Sequence, residues 1–348
     1  MRSELASGAT TGPRGAAGPH NPNRSAASDL SVNLIVVIGN IAQFWRLTRE
    51  LDVNGLRESL ERPVSLRVLG SDLAVAQRVA RLIEPDPAAS EVSAGVLGEL
   101  SRERADLYVA AIGGPLESDG RRALSDLSVS ETPLVLVQSE VAVGMLVVGI
   151  PEDRVVTLGE AEPDNEARER LFKALVHAAP EVMLSAGRRH PLLREPVAEH
   201  LIRDTSRVNA QFAALSSLPA NLPLIGGLVG DMADVLVLTK NQLLLLFKLA
   251  GLYGRDLQLS RQLLIEILPV VGSAFLWRTT ARALVGLLPS LLGVLPKTVV
   301  AYSGTYLVGQ MARYYYHYGD KPPPELVQDL RSEGTRLARE TIGRLRRG

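Results

Sequence analysis

Beyond a polar start, the first strong hydrophobic pattern covers residues 34–51 (LIVVIGNIAQFWRLTREL). It opens as a β-branched run that suits a strand. Leu34, Val37, Ile38, Ile41, Trp45 and Thr48 also fall near one helix face, and the helix is the preferred reading. The Asp52-Val53-Asn54 turn ends it, and Asn54 is expected to cap a second short helix through Leu60. Past Pro63 the period changes. Residues 64–69 (VSLRVL) predict a strand running into Gly70, and residues 73–83 predict an amphipathic helix. Residues 105–112 (ADLYVAAI) and 133–137 (PLVLV) are unbroken apolar runs bounded by turn residues, as strands buried on both faces are. Residues 154–158 are a weaker strand. Helical stretches are read over 96–104, 121–127, 141–148 and 166–178. Strands alternating with helices predict a parallel sheet covered by helices.

A polar stretch around Arg188-Arg189-His190-Pro191 marks a change of character, and from Val208 onward the chain turns apolar. Residues 190–206 read as an amphipathic helix of mixed charge, and 220–230 (ANLPLIGGLVG) as a Pro/Gly-rich connection. Residues 231–254 predict a long helix ending at Tyr253-Gly254, and 259–277 another, broken near Pro269. Leu284, Leu287, Leu288, Leu291, Leu292 and Leu295 form a helical stripe whose other faces are equally dry. Residues 299–318 are a last apolar helix, dense in Tyr. The prolines at 322–324 close this bundle, and 325–348 read as a charged helix with a basic end at Arg344, Arg346 and Arg347.

This gives five parts. They are a tail (1–28) too poor in large apolar residues to offset chain entropy, an N-terminal helical segment (29–62), an α/β domain (63–180), a hydrophobic helical domain (181–320) and a charged C-terminal helix (321–348). The apolar run 32–38 starts too late, and lacks a basic stretch before it, to read as a secretory signal. A leaderless cytoplasmic start is the expectation. A spanning helix needs roughly 20 apolar residues. Residues 208–230 carry no charge but contain Pro219, Pro223 and several glycines. Residues 235–253 contain Lys240 and Lys248, and 283–312 are interrupted by Lys297 beside Pro296. A charge at a helix centre costs about 2.5–3.5 kcal/mol on insertion scales. Tyr302, Tyr306, Tyr314, Tyr315, Tyr316 and Tyr318, next to Arg313, suit interfacial anchoring or packing between helices. Partial insertion or peripheral docking on lipid is expected rather than a full span.

Composition narrows the chemistry. Lys+Arg and Asp+Glu both total 38, so no global basic field draws the chain to nucleic acid, and no nucleic-acid partner is expected. The absence of Cys excludes disulfides, thiolate zinc sites, iron–sulfur clusters and Cys nucleophiles. The five His residues form no H-E-x-x-H or similar pair, so no metal is expected, and no G-x-S-x-G elbow is present.

The decisive test is the turn after the first strand. A Walker A loop needs two glycines flanking four residues, then Lys and Ser/Thr, so that amides cradle phosphate, the Lys neutralises it and the hydroxyl holds magnesium. Here Gly70 is followed by Ser71-Asp72-Leu73-Ala74, and Val75, Ala76 and Gln77 occupy the second glycine, lysine and hydroxyl positions. Asp72 puts negative charge where phosphate would sit. A dinucleotide fingerprint is equally missing. After PLVLV, where a guanine-reading Asn-Lys-x-Asp would stand, the chain has Gln138-Ser139-Glu140-Val141. No cofactor is expected. Asp231, Asp234, Asn241 and Lys248 fall near one face of the 231–254 helix. They read either as a polar seam, lining a channel or forming an interhelical ion-pair network, or as the wet side of an amphipathic helix.

Three stretches carry a resemblance: VLVLTKNQLLLLFKLAGLYG (235–254), the Pro269-Val270-Val271-Gly272 turn and TYLVGQMARYYYHYG (305–319). They resemble the bacterial Era-like GTPase relatives that carry a C-terminal hydrophobic helical domain, the domain of unknown function 697 family. The resemblance covers residues 200–320, and the preceding domain looks like a degenerate GTPase in strand order only. It implies a P-loop-like α/β parallel-sheet domain followed by an all-α hydrophobic helical bundle. It also implies a bacterial inner membrane or its cytoplasmic face as the location, with a cytoplasmic location as the alternative. GTP hydrolysis does not carry over, because the residues that perform it are missing. The resulting expectation is a non-catalytic, pseudo-GTPase-like scaffold or regulator that meets membrane lipid and an unidentified protein partner. The alternatives are a divergent GTPase gripping nucleotide through an unusual loop, and a soluble interaction module with a helical core.

Overall fold

The computed structural model describes residues 50–86, 91–99, 104–142, 149–159, 162–216, 231–259, 262–270 and 294–345. Residues 50–348 form one compact unit. Its first element, α1 (Val53–Glu61), starts two residues earlier than the sequence suggests. The cap is Asp52, whose Oδ1 accepts from Gly55 N at 2.9 Å, and not Asn54. Asp52 lies outside the helical turns, where its carboxylate can reach back to a free amide, whereas Asn54 is already inside them. The expected helix over 34–51 lies almost entirely outside the described residues.

The α/β half holds β1 (Leu66–Gly70), α2 (Leu73–Ile83), β2 (Val92–Val96), β3 (Leu107–Ile112), α3 (Ser118–Ser128), β4 (Leu134–Ser139), β5 (Val155–Leu158) and α4 (Asp164–Ala178). The five strands pair in parallel in the order β2-β1-β3-β4-β5. All six residues of β3 are buried, which explains its unbroken apolar run at the sheet centre. Leu69, Tyr108, Ala110, Ile112, Leu134 and Leu136 pack with Ala123, Leu124 and Leu127 of α3, while α2 and α4 touch each other beside the strands. β2 (VSAGV) corrects the start of the expected helix at 96–104, of which residues 100–103 lie outside the described residues. The strand ends at Val96, and Leu97–Glu99 form a single 3-10 turn. Its Ser, Ala and Gly give no hydrophobic period because β2 is a half-exposed edge strand. Of the expected helix over 141–148, the first two residues belong to a 3-10 turn (Glu140–Ala142) and the rest lie outside the described residues.

The helical half begins directly after α4 with α5 (Pro180–Arg189), which the sequence pattern did not separate. Pro180 stands at its first position, where the missing N–H costs nothing. Next comes α6 (Pro191–Leu215), 25 residues long and continuing well past 206 with Pro196 inside it. Then follow α7 (Asp231–Leu252), a helical stretch over 262–270 that runs through Pro269, α8 (Val294–Tyr318) and α9 (Pro324–Leu345). Gly254 stops α7 with φ of +81°, and Arg255 N donates back to Ala250 O, a Schellman-type close. The rest of the expected 259–277 helix and nearly all of the leucine stripe at 284–295 lie outside the described residues.

Contacts fix the helix directions. Glu199 faces Gln310 and Arg313, Asn209 faces Thr305, and Ala213 packs by Ala301, so α6 and α8 are antiparallel. Gln242 meets Thr305, and Tyr253 stacks edge-on with His317, so α7 and α8 run parallel. Among the described residues no helix is long and apolar enough to cross a membrane.

Candidate functional site

In a doubly wound sheet the ligand crevice lies at the carboxyl ends of the strands, where the chain reverses its winding direction. Here that point falls between β1 and β3. Four residues singled out by sequence, Gly70, Ser71, Asp72 and Ser139, converge there, and each is engaged by the chain itself. Gly70 is buried and makes the turn. A Cβ on it would lie 2.3 Å from the Asp72 carbonyl oxygen and 2.7 Å from the Ala76 amide nitrogen. Ser71 N donates to Ala111 O at 2.8 Å, and its Oγ accepts from Gly113 N at 3.1 Å. Ser139 Oγ donates to Gly113 O at 3.0 Å. Two hydroxyls therefore stitch the loop after β3 to its neighbours on either side.

Asp72 caps α2, its Oδ1 accepting from Val75 N at 2.9 Å. An anion at a helix N-terminus is held by free amides and the positive end of the helix dipole. The carboxylate of this chain sits in that role. Ala76, at the position of a phosphate-binding lysine, is fully buried and carries no charge. Gln77 is exposed on α2, away from the turn's hydrogen bonds. Val75 also closes the crevice, since a Cβ on Gly113 would lie 2.7 Å from its Cγ2.

The second loop is similarly committed. Gln138 Nε2 donates to Thr157 Oγ1 at 3.2 Å, tying β4 to β5. Glu140 is exposed in its 3-10 turn near Gly159. Among the described residues no group of three His, Cys, Asp or Glu is arranged to hold a metal ion.

The expected seam on α7 divides. The side chains of Asp231 and Asp234 lie outside the described residues. Lys248 is half-buried, two turns beyond Asn241. Asn241 instead joins a network that the sequence reading missed. Its Nδ2 donates to Asn209 Oδ1 at 2.8 Å, and Asn209 Nδ2 donates to Thr305 Oγ1 at 2.9 Å. Thr305 Oγ1 also accepts from Gln242 Nε2 at 3.0 Å and donates to Ala301 O at 2.8 Å, which uses its full capacity. Asn209 and Gln242 are fully buried, so this amide cluster locks α6, α7 and α8 in one register. An Asn inside RVNAQF and a Gln ahead of LLLLF were the available signals.

A second cluster lies at the other end of the same helices. Glu195 accepts from Tyr253 OH at 2.6 Å and contacts His317 Nδ1 at 3.1 Å and Arg313 at 3.3 Å. Burial, then the bond to Glu195, pushes the Tyr253 phenol far above its ordinary range, so it stays a protonated donor. Nearby, His190, at the α5–α6 junction and nearly fully buried, reaches Glu84 of the sheet half at 2.8 Å. Burial holds His200 below its ordinary 6.5, with His177 and Arg207 acting in the same sense and Asp204 opposing. A base whose folded value is depressed stabilises the fold above 6.5, and that contribution is lost as pH falls through the folded value. Lowering the pH from about 7 to about 5 will therefore reduce the melting temperature. His200→Gln will remove part of that dependence, which melts across a pH series will show.

A shallow hollow of about 430 Å3 lies along α9, lined by Arg331, Ser332, Thr335, Arg336, Arg339 and Glu340.

These features define a Rossmann-like parallel α/β domain followed by a C-terminal helical region. No protein-family model, no curated protein and no solved structure matches the chain.

Proposed function

We propose that this protein is a non-catalytic scaffold or regulator, with a nucleotide-binding type of frame that has lost its ligand, acting at a membrane surface. One observation carries the reading. Three amides at the β1–β3 switch point, those of Val75, Gly113 and Ser71, are already bonded to Asp72 Oδ1, Ser71 Oγ and Ala111 O. A nucleotide entering there would have to displace a carboxylate from the helix N-terminus without any lysine to balance the added charge. The sheet half then serves as a surface for a partner protein. Surface docking by the helical half follows from its apolar sequence together with the lack, among the described residues, of a helix able to span. The resemblance to the domain of unknown function 697 family agrees with this reading and implies a bacterial inner membrane as the place. Calorimetric titration of the full chain with GTP and ATP in magnesium tests it. No binding heat is expected up to millimolar nucleotide. Micromolar affinity would replace this reading with that of a divergent GTPase.

A further inference from the structure

α9 (Pro324–Leu345) is set apart from the rest of the bundle. It follows a short exposed connection, Gly319-Asp320-Lys321, in which Gly319 takes φ of +77° to end α8, and then three prolines. Among the described elements α8 is the one it packs against at length. Its buried residues, Leu330, Gly334, Leu337 and Ala338, form one narrow stripe at helical spacing. Much of its polar chemistry is internal. Arg336 pairs with Glu333 and Glu340, and Ser332, Thr335 and Thr341 donate to carbonyls one turn back.

The strip beneath it is different in kind. Tyr302 and Tyr306 of α8 stack with ring centroids 6.5 Å apart, and both are buried. The Tyr302 hydroxyl bonds to Thr341 and the Tyr306 hydroxyl to Glu333. Gly334 permits the close approach of the two helices. A Cβ there would stand 3.0 Å from the Tyr306 ring and 3.4 Å from Ser303 Cα. Arg203 of α6 lies close enough to interact with both phenols. Tyrosine and arginine are among the side chains that dominate binding energy at protein interfaces. α8 does not depend on α9 for its own place. It also packs on α6 and α7, and the amide cluster of Asn209, Asn241, Gln242 and Thr305 holds those three helices with no residue from α9.

A helix that carries its own ion pairs, rests on one described neighbour through a narrow stripe and joins it by an exposed glycine turn can leave without undoing what lies below. We propose that α9 is a displaceable strap, opening at the 319–321 turn to uncover the Tyr302–Tyr306 strip of α8 as a docking site for an amphipathic helix. What the strip already holds sets the form of that occupant. It is a helix with an apolar stripe and a small residue at the crossing, seated as Gly334 is. The strap needs neither the nucleotide nor the membrane reading above, so it stands or falls separately from them.

Hydrogen exchange of the full chain tests the opening. Amides of α9 are expected to exchange at least about tenfold faster than those of α7 and α8, by local opening. Equal rates in all three helices overturn the proposal, because α9 would then leave only with global unfolding. Gly334→Leu tests the strip. Its side chain would run into the Tyr306 ring and the Ser303 backbone, so α9 is expected to lose protection while α6, α7 and α8 keep theirs. Ser332→Leu, on the exposed face of α9, should leave this helix as protected as in the wild type. The Gly334→Leu chain is then expected to bind a labelled peptide of residues 324–345, read by fluorescence anisotropy. Its affinity should exceed that of the wild type, whose own tethered strap occupies the strip, by at least about tenfold. Loss of protection across the whole bundle in Gly334→Leu overturns the strap, and absence of peptide binding by that variant overturns the docking site.

Discussion

Gly70→Ala is expected to destabilise the protein by about 3 kcal/mol, visible as a large drop in the denaturant midpoint with little change in slope. The added methyl would sit 2.3 Å from the Asp72 carbonyl oxygen and 2.7 Å from the Ala76 nitrogen. Both are backbone atoms, so no rotamer change relieves the overlap. The β1–α2 turn must open instead, which strains the bond from Ser71 N to Ala111 O and the Asp72 cap together. Gly114→Ala, one loop away, is the control. A Cβ there meets nothing within 4 Å, so its effect should stay within about 0.5 kcal/mol. The comparison separates two meanings of a glycine after a strand. Here it permits the close approach of strand and helix, a requirement that outlasts any need to hold phosphate.

Asn209→Ala should be of similar size, again about 3 kcal/mol, for a different reason. Asn209 is fully buried, and its amide both accepts from Asn241 and donates to Thr305. Truncation leaves the Asn241 amide without its acceptor in a low-dielectric setting, and it opens a cavity among three helices. Gln211→Ala, exposed two positions later on the same helix, should be nearly neutral. Thermal melts of the two variants side by side give the difference directly. Equal melting temperatures would show that the amide cluster contributes nothing to holding α6, α7 and α8 in register.

The contrast between these two positions shows what could be read from the chain. β3 and most of β4 were legible because burial makes their sequences an unbroken apolar run, β1 because its buried Leu66, Val68 and Leu69 run into the Gly70 turn, and α2 because its apolar positions share one face. β2 was not legible, since an edge strand with a half-exposed face needs no hydrophobic period. α5 was hidden by its length and by a proline start that reads as a break. The cap of α1 was misplaced by two residues because Asp52 and Asn54 are chemically equivalent caps, and only the backbone path decides between them. At the crevice, the missing lysine and the extra carboxylate were legible from residues 70–77 alone. It could not disclose that Ser71 and Ser139 both close on Gly113, because that contact joins three strands far apart in the chain. The partner of Asn241 on α7 was hidden for the same reason. Spacing placed Asn241 with Asp234 and Lys248, whereas its partner is Asn209 on another helix, 32 positions earlier.

The central claim is that the switch-point amides belong to the chain and are not open to a ligand. Amide hydrogen exchange of the intact protein, resolved at Ser71, Val75 and Gly113 and repeated with saturating magnesium GTP and ATP, tests it most directly. The account predicts that all three amides are protected without nucleotide and that neither nucleotide changes their exchange. Fast exchange in the free protein that slows when GTP is added would contradict it.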